Sequence, residues 1–302
     1  MKKITKSTII LSFLSFLTFF TSANADIKVV ASIKPIHSLA SYLMDGVAKP
    51  DLIVDGYASP HGFALKPSHA KMLQNADIVF WVGEDIENFL EKPLDSIAKK
   101  EDDHDDHDHK KKDDHDDHDD HDDHDDHDGH EGHHHGEHDP HIWLDPINAK
   151  VILNEMVEHL IENDAKNAST YKSNLEKALK DIDKLTIEVM TDLNQSTSSI
   201  VFHDAYQYFE KRFNVNVLGA FTVNTDVMPG AEQLAEIREV IEHDKVACIF
   251  SEPQFNPDII NAVAKDMEIK TGVLDPLGAT LTPGKTLYFD LIKNMSKSFK
   301  GC

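Results

Sequence analysis

The segment Glu101–Asp139 limits what this chain can fold into more than any other stretch. It holds thirteen of the twenty histidines, and its seventeen Asp and three Glu stand against three Lys. Most of the formal net charge of −24 therefore lies here. Such dense like charge repels itself, and the segment has no apolar side chains with which to build a core. We predict a disordered loop, with folded parts on either side of it.

The same loop offers many imidazoles and carboxylates, the groups that bind divalent metal ions. We predict that its histidines form an auxiliary, weak metal-binding set without fixed geometry. The alternative is a flexible acidic spacer with no binding role. The candidate auxiliary ligands are His104, His107, His109, His115, His118, His121, His124, His127, His130, His133, His134, His135 and His138.

Residues 1–25 have the pattern of a cleavable signal peptide. Lys2 and Lys3 precede the apolar run Ile9–Phe20, and small residues follow up to Ala25. The run is too short to serve as a membrane anchor, which needs roughly 20 apolar residues. No Cys follows the run, so a lipid anchor is not indicated. We therefore predict export to the periplasm.

The exported chain has two cysteines, Cys248 and Cys302. Because the bacterial periplasm is oxidising, an even pair in an exported protein predicts one disulfide. The alternative is two independent thiols. Neither a Cys-rich zinc site nor a redox motif is possible with this count.

The remaining residues alternate between short apolar runs and helical patterns, which predicts parallel sheets covered by helices. Between the two halves, six apolar residues recur at steps of four and three and predict one long helix. The fold class is thus α/β, with two lobes built on parallel four-stranded sheets and joined by that helix. The predicted boundaries are 26–165 for the N-terminal lobe, 166–194 for the linking helix and 195–302 for the C-terminal lobe. The predicted strands are Ile27–Ala31, Leu52–Val54, Ile78–Val82, Ile200–Phe202, Val215–Leu218, Val246–Phe250 and Ile269–Leu274.

Four residues are candidate metal ligands. His61 lies in the loop after Leu52–Val54, His203 follows a strand directly, and Asp275 does the same near the C-terminus. His141 stands where the acidic loop rejoins the fold. Ligands of open parallel sheets bind at the carboxyl ends of the strands, where three of these four are expected.

Three imidazoles and one carboxylate make a suitable tetrahedral set for zinc. Calcium or magnesium would instead require mostly oxygen ligands. Each histidine alone has a simpler interpretation as a solvated or hydrogen-bonded loop residue, so the hypothesis depends on their shared placement.

Together, the leader, the paired lobes, the long helix, the acidic His-rich loop and the four motifs resemble the zinc-uptake solute-binding proteins of the ZnuA type. These are the periplasmic components of zinc ABC transporters. The resemblance implies a zinc site in the cleft between the lobes, with His61, His141 and His203 as ligands. Asp275 or water would complete the sphere. It also implies handover of Zn²⁺ to a membrane permease that is driven by a cytoplasmic ATPase.

Further features bear on this resemblance. The resemblance also implies that manganese-binding relatives have a Glu at the position of His203, so an imidazole there favours zinc. Many zinc members have an acidic residue where this chain has Pro60. An acidic fourth ligand from that loop is therefore absent, which favours coordination by Asp275. The family also often has a disulfide to its C-terminus, as Cys248 and Cys302 would form.

Two other functions remain open at this stage. A zinc hydrolase would keep an open, water-filled position on the metal, but the chain lacks a His-Glu-x-x-His motif. A periplasmic metal buffer or adhesin without transport is the second alternative. The chain has no phosphate-binding loop, so the energy for transport would come from another protein. We expect a monomeric binding protein with no enzymatic activity and no nucleic-acid partner.

Overall fold

The protein forms two α/β lobes in a computed structural model that describes residues 26–102, 139–193, 197–223, 225 and 227–302. The predicted leader and all thirteen histidines of the acidic loop lie outside the described residues. The division of the chain at residues 165 and 194 stays a prediction. Within the described part, no helix has both the length and the apolar character to cross a bilayer.

The N-terminal sheet has three parallel strands in the described residues, in the order β2-β1-β3. The expectation of four strands in this lobe is wrong, because the segment that follows β3 folds as a helix and adds no strand. The central strand β1 is buried along its whole length, as expected for a strand covered on both faces. The strands are β1 (Val29–Ile33), β2 (Asp51–Val54) and β3 (Ile78–Phe80).

The C-terminal sheet has the expected four parallel strands, in the order β5-β4-β6-β7. All seven predicted strands are present, with ends that differ by a few residues from the apolar runs. The central strand β4 is buried throughout. The strands are β4 (Ser199–His203), β5 (Val217–Thr222), β6 (Cys248–Ser251) and β7 (Lys270–Val273).

Helices connect these strands and cover both sheets. Two of them, α3 and α9, have no counterpart in the sequence-based prediction. Helix α3 contains Pro93 and a kink at Glu87, which interrupt its periodicity. The helices are α1 (Lys34–Leu43), α2 (Pro67–Gln74), α3 (Glu84–Asp102), α4 (Pro146–Asn163), α5 (Ala168–Asp192), α6 (Gln207–Phe213), α7 (Ala231–Asp244), α8 (Asp258–Asp266) and α9 (Leu287–Gly301).

The predicted long helix is α5, which runs for 25 residues and packs against α1, α4 and α9. Its apolar stripe faces the protein interior, so the helix packs along its own chain as expected. The buried members of that stripe are Tyr171, Ala178, Ile182, Leu185 and Val189.

One apolar core extends through both lobes. It includes Val30 of the N-terminal sheet, Ile182 of α5 and Phe250 of the C-terminal sheet. A smaller cluster covers the other face of the C-terminal sheet. The predicted disulfide between Cys248 and Cys302 is confirmed, with the two Cα atoms 5.6 Å apart. It fastens the end of α9, which also packs on α1 and α5, to strand β6.

Candidate metal centre

His61 reaches the cleft from the loop that follows β2. Its backbone N–H donates a hydrogen bond to the Ser59 hydroxyl at 3.3 Å, which holds the turn around buried Pro60. The residue is partly exposed. In the described residues no hydrogen bond to its ring is present, so the imidazole is free to turn toward a ligand.

His141 precedes the short 3-10 helix Ile142–Leu144 and is buried. Oδ1 of Asp139 lies 2.8 Å from its ring Nδ1 and accepts a hydrogen bond from its backbone N–H at 2.9 Å. A carboxylate oxygen at this distance accepts a hydrogen bond from Nδ1–H, so Nε2 is left as the nitrogen available to a ligand.

His203 is the last residue of β4, and its side chain is buried at the carboxyl end of the sheet. Its Nδ1 has no hydrogen-bond partner and lies 3.6 Å from Oε1 of Glu252. Glu252 is buried and accepts a hydrogen bond from the hydroxyl of fully buried Tyr206 at 2.9 Å. A buried carboxylate that Tyr206 holds in place therefore lies beside His203.

The three imidazoles meet in the cleft. Their candidate ligand atoms all lie within 4.8 Å of one another. The ring centroids are 5.6 Å apart for His61 and His141, 5.1 Å for His61 and His203, and 4.8 Å for His141 and His203. Nitrogens that bind one zinc ion at ~2.1 Å lie roughly 3.4 Å apart in a tetrahedron. The three nitrogens would have to move closer by up to roughly an ångström to bind one zinc ion.

Burial keeps two of these imidazoles, those of His61 and His141, in the form that binds metal. Desolvation, followed by the positive charges of His203 and His141, lowers the pKa of His61 to about 3. Desolvation also lowers the pKa of His141, although the hydrogen bond with Asp139 opposes this shift. A neutral imidazole has a free lone pair, so both residues are ready ligands at neutral pH.

The space between the imidazoles is small. The cavity has a volume of about 10 Å³, which is room for a single water-sized object. An organic substrate does not fit there, whereas an ion does. Its lining residues are Ser59, Pro60, His61, His141, Trp143, His203, Glu252, Gln254, Phe255, Pro276 and Leu277.

The structure does not bring Asp275 into the three-histidine group. Its Oδ1 accepts a hydrogen bond from the Gln254 side chain at 3.0 Å and another from the Leu277 backbone N–H at 3.2 Å. The carboxylate therefore stabilises the turn that follows β7, and Pro276 and Leu277 of that turn line the cavity. The sequence correctly predicted that Asp275 lies at the carboxyl end of the sheet. It did not show that hydrogen bonds within the surrounding loops occupy the carboxylate.

Contacts between the lobes fix the walls of the cleft. Arg212 of α6 forms two hydrogen bonds of 2.7 Å with Asp145, the residue that caps α4. The indole N–H of Trp143 donates to the Pro276 carbonyl at 2.9 Å. Buried Lys34 donates to three carbonyls of the loop that follows Pro276. Each lobe thus supports the loop that the other presents to the cavity.

Sequence reasoning missed Glu252 as a residue of the site. It follows strand β6 directly, in Ser251-Glu252-Pro253-Gln254, so the strand-end rule that found His203 also applies to it. Asp139 was visible only as the last acid of the loop. The sequence shows that Asp139 lies two residues before His141, but only the structure shows that its side chain turns back to the His141 ring.

Comparison with known proteins identifies the family of this chain. Residues 29–302 match the family described as zinc-uptake complex component A, periplasmic, or ZnuA. The chain belongs to the ZnuA family. A ZnuA-family relative from Brucella abortus (strain 2308), a high-affinity zinc uptake system protein, is 44% identical over 91% of each chain. The corresponding Haemophilus ducreyi protein is 40% identical over 96% of each.

A solved structure of a zinc-bound ZnuA deletion mutant has the same fold. It superposes with a TM-score of 0.71 at 20% identity, covering 91% of this chain and 97% of that one. The α/β fold with two parallel sheets and one long helix is therefore shared with ZnuA structures. At this low identity the likeness concerns the fold alone.

Proposed function

We propose that this ZnuA-family protein captures Zn²⁺ in the periplasm and delivers it to an ABC permease for uptake. The observation that carries the proposal is the meeting of His61, His141 and His203 in one cavity of ionic size. Three imidazoles favour zinc over calcium or magnesium, which prefer oxygen ligands. Family membership supports the step from binding to transport.

In the proposed complex the three histidines bind one zinc ion, and a fourth ligand completes the tetrahedron. That ligand is Asp275 or a water molecule. The ion is cargo, so the protein performs no catalysis on it. The energy for uptake comes from the ATPase of the permease, on a separate chain. We propose a monomeric protein that residues 1–25 direct to the periplasm.

The loop 101–139 has a separate role in this proposal. Its thirteen histidines bind several zinc ions weakly and raise the local zinc concentration beside His141, where the loop joins the folded site. Deletion of residues 103–138 should lower the number of zinc ions bound while one tight site remains. Equilibrium dialysis with measurement of bound zinc checks this, and an unchanged number of bound ions would support the spacer alternative.

Transport is tested by growth in zinc-depleted medium. A strain that lacks this protein should grow poorly with a zinc chelator, and the wild-type gene should restore growth. A gene encoding His203→Ala should fail to do so, whereas one encoding His159→Ala, an exposed histidine on α4, should succeed. Equal growth of the deletion strain and its parent would show that the protein acts as a buffer or adhesin.

A zinc hydrolase is the rival function, and the cavity argues against it. A hydrolase needs space for a substrate next to the metal-bound water, and about 10 Å³ leaves none. We expect the zinc-loaded protein to hydrolyse no model ester, peptide or phosphoester substrate, and turnover of any of these would support the rival.

A further inference from the structure

A buried carboxylate lies beside each of two histidines of the three-histidine group. Oδ1 of Asp139 lies 2.8 Å from Nδ1 of His141, and Oε1 of Glu252 lies 3.6 Å from Nδ1 of His203. The two carboxylate side chains are 4% and 2% exposed. Each is thus almost fully removed from water and lies close to the Nδ1 atom of its histidine.

Burial of a carboxylate is unfavourable unless it is hydrogen-bonded or near a positive charge. In the described part of the chain, no Lys or Arg lies within ion-pair distance of either one; the recorded partner of each is the histidine that it faces. Glu252 has in addition the Tyr206 hydroxyl. The chain therefore places two carboxyl groups beside a site of three imidazoles.

We propose that Asp139 and Glu252 are positioning residues for the zinc site, each acting through its own histidine. This inference rests on the proposed function. The carboxylate accepts a hydrogen bond from Nδ1–H, fixes the tautomer that presents Nε2 to the ion, and raises the basicity of that nitrogen. Two carboxylates also balance the double positive charge of the ion.

The geometry of His203 shows what this requires. Its Nδ1 is buried without a hydrogen-bond partner. In the proposed arrangement the ring turns so that the 3.6 Å separation from Glu252 shortens to hydrogen-bond distance, and Nδ1–H then has a partner. His141 already has this contact. The two assisted histidines belong to opposite lobes, whereas the partly exposed His61 has no such carboxylate in the described residues.

Amide variants test the inference on the full-length protein. Asp139→Asn and Glu252→Gln should each weaken zinc binding about 10- to 100-fold, the range for loss of an outer hydrogen-bond partner. The affinity is measured by competition with a chelator strong enough to remove zinc from the loop.

The matched control is Asp164→Asn. Asp164 is also buried and accepts a hydrogen bond from a tyrosine, Tyr171, but lies at the opposite end of α4 from the site. Its loss should leave zinc affinity unchanged.

Tyr206→Phe provides a second variant in case Glu252→Gln folds poorly. It keeps the carboxylate and removes the hydroxyl that anchors it, so the affinity should fall by less than in Glu252→Gln. ¹⁵N NMR of the histidines reads the tautomers directly. The Nδ1–H form of His141 should dominate in the wild type and become mixed in Asp139→Asn, a change that loss of stability alone would not produce.

Two outcomes would overturn the inference. One is zinc affinity within about 2-fold of wild type in folded Asp139→Asn and Glu252→Gln proteins, against the 10- to 100-fold loss expected. The other is loss of an oxygen ligand from the X-ray absorption spectrum of Glu252→Gln, which would make Glu252 a direct ligand. Failure of the proposed site itself gives a different result, because His203→Ala would then also bind zinc tightly.

Discussion

At the residue scale, the carboxylate of Asp275 accepts two hydrogen bonds from its surroundings, one from the Gln254 side chain and one from the Leu277 N–H. These bonds hold the turn in which Pro276 accepts a hydrogen bond from the Trp143 indole. Asp275 therefore supports the wall of the cavity in the structure. Coordination of zinc would require at least part of this arrangement to change.

We expect Asp275→Asn to weaken zinc binding much less than His203→Ala does, because the asparagine oxygen can still accept both hydrogen bonds. Competitive zinc titration of the two variants measures the difference. X-ray absorption on the zinc-loaded Asp275→Asn protein should still show three imidazoles. An equally large loss of affinity in the two variants would instead identify Asp275 as the fourth ligand.

At the scale of single elements, helix α6 carries a carboxyl group that favours its protonated form. Burial, followed by the negative charges of Asp204 and Asp139, raises the pKa of Glu210 to about 8, while Lys211 opposes the shift. The folded protein thus holds this proton more tightly than the unfolded chain. The corresponding stability is fully present below the unfolded pKa of 4.5 and is lost as the pH rises through about 8.

Glu210→Gln should remove this dependence, because glutamine keeps the shape of the protonated side chain and cannot ionise. The variant should match the wild type in melting temperature at pH 5 and exceed it at pH 9, as measured by circular dichroism. Glu176→Gln, which changes an exposed residue of α5, is the control and should follow the wild type. A Glu210→Gln protein that follows the wild type at both pH values would contradict this prediction.

The elements also show what sequence could and could not predict. The stripe from Tyr171 to Val189 predicts α5, because six apolar residues at steps of four and three follow one face of a helix. Helix α9 was not predicted although Leu287, Leu291 and Met295 recur on one buried face. The predicted strand ends identified His203 and the loop of His61 as candidate site residues, because the carboxyl ends of parallel strands lie at one edge of the sheet.

The outer contacts of the site were beyond sequence reasoning. Whether Glu252 or Asp275 turns toward the histidines depends on side-chain directions and on how two lobes meet. Both follow strands, and both are acidic. The structure distinguishes them because Tyr206 anchors Glu252 beside His203, whereas the turn after β7 engages Asp275.

At the scale of the whole molecule, the core that runs through both lobes predicts a single unfolding transition. Helix α9 strengthens the link, since it belongs to the C-terminal half and packs on α1 and α5. Differential scanning calorimetry of the metal-free protein should give one peak, with equal calorimetric and van't Hoff enthalpies. Two resolved peaks would show that the lobes unfold as independent units.

The whole molecule also combines two kinds of zinc binding, a geometrically defined site in the cleft and a loop with many ligands. The central claim is that tight binding resides in the cleft. The most direct test is competitive zinc titration of protein that lacks residues 103–138, with His203→Ala and His159→Ala versions of it. We predict one tight zinc ion in the shortened protein and in His159→Ala, and a loss of at least about 100-fold in His203→Ala, since a direct ligand matters more than an outer partner. Loss of tight binding on deletion of the loop, or tight binding by His203→Ala, would contradict the account.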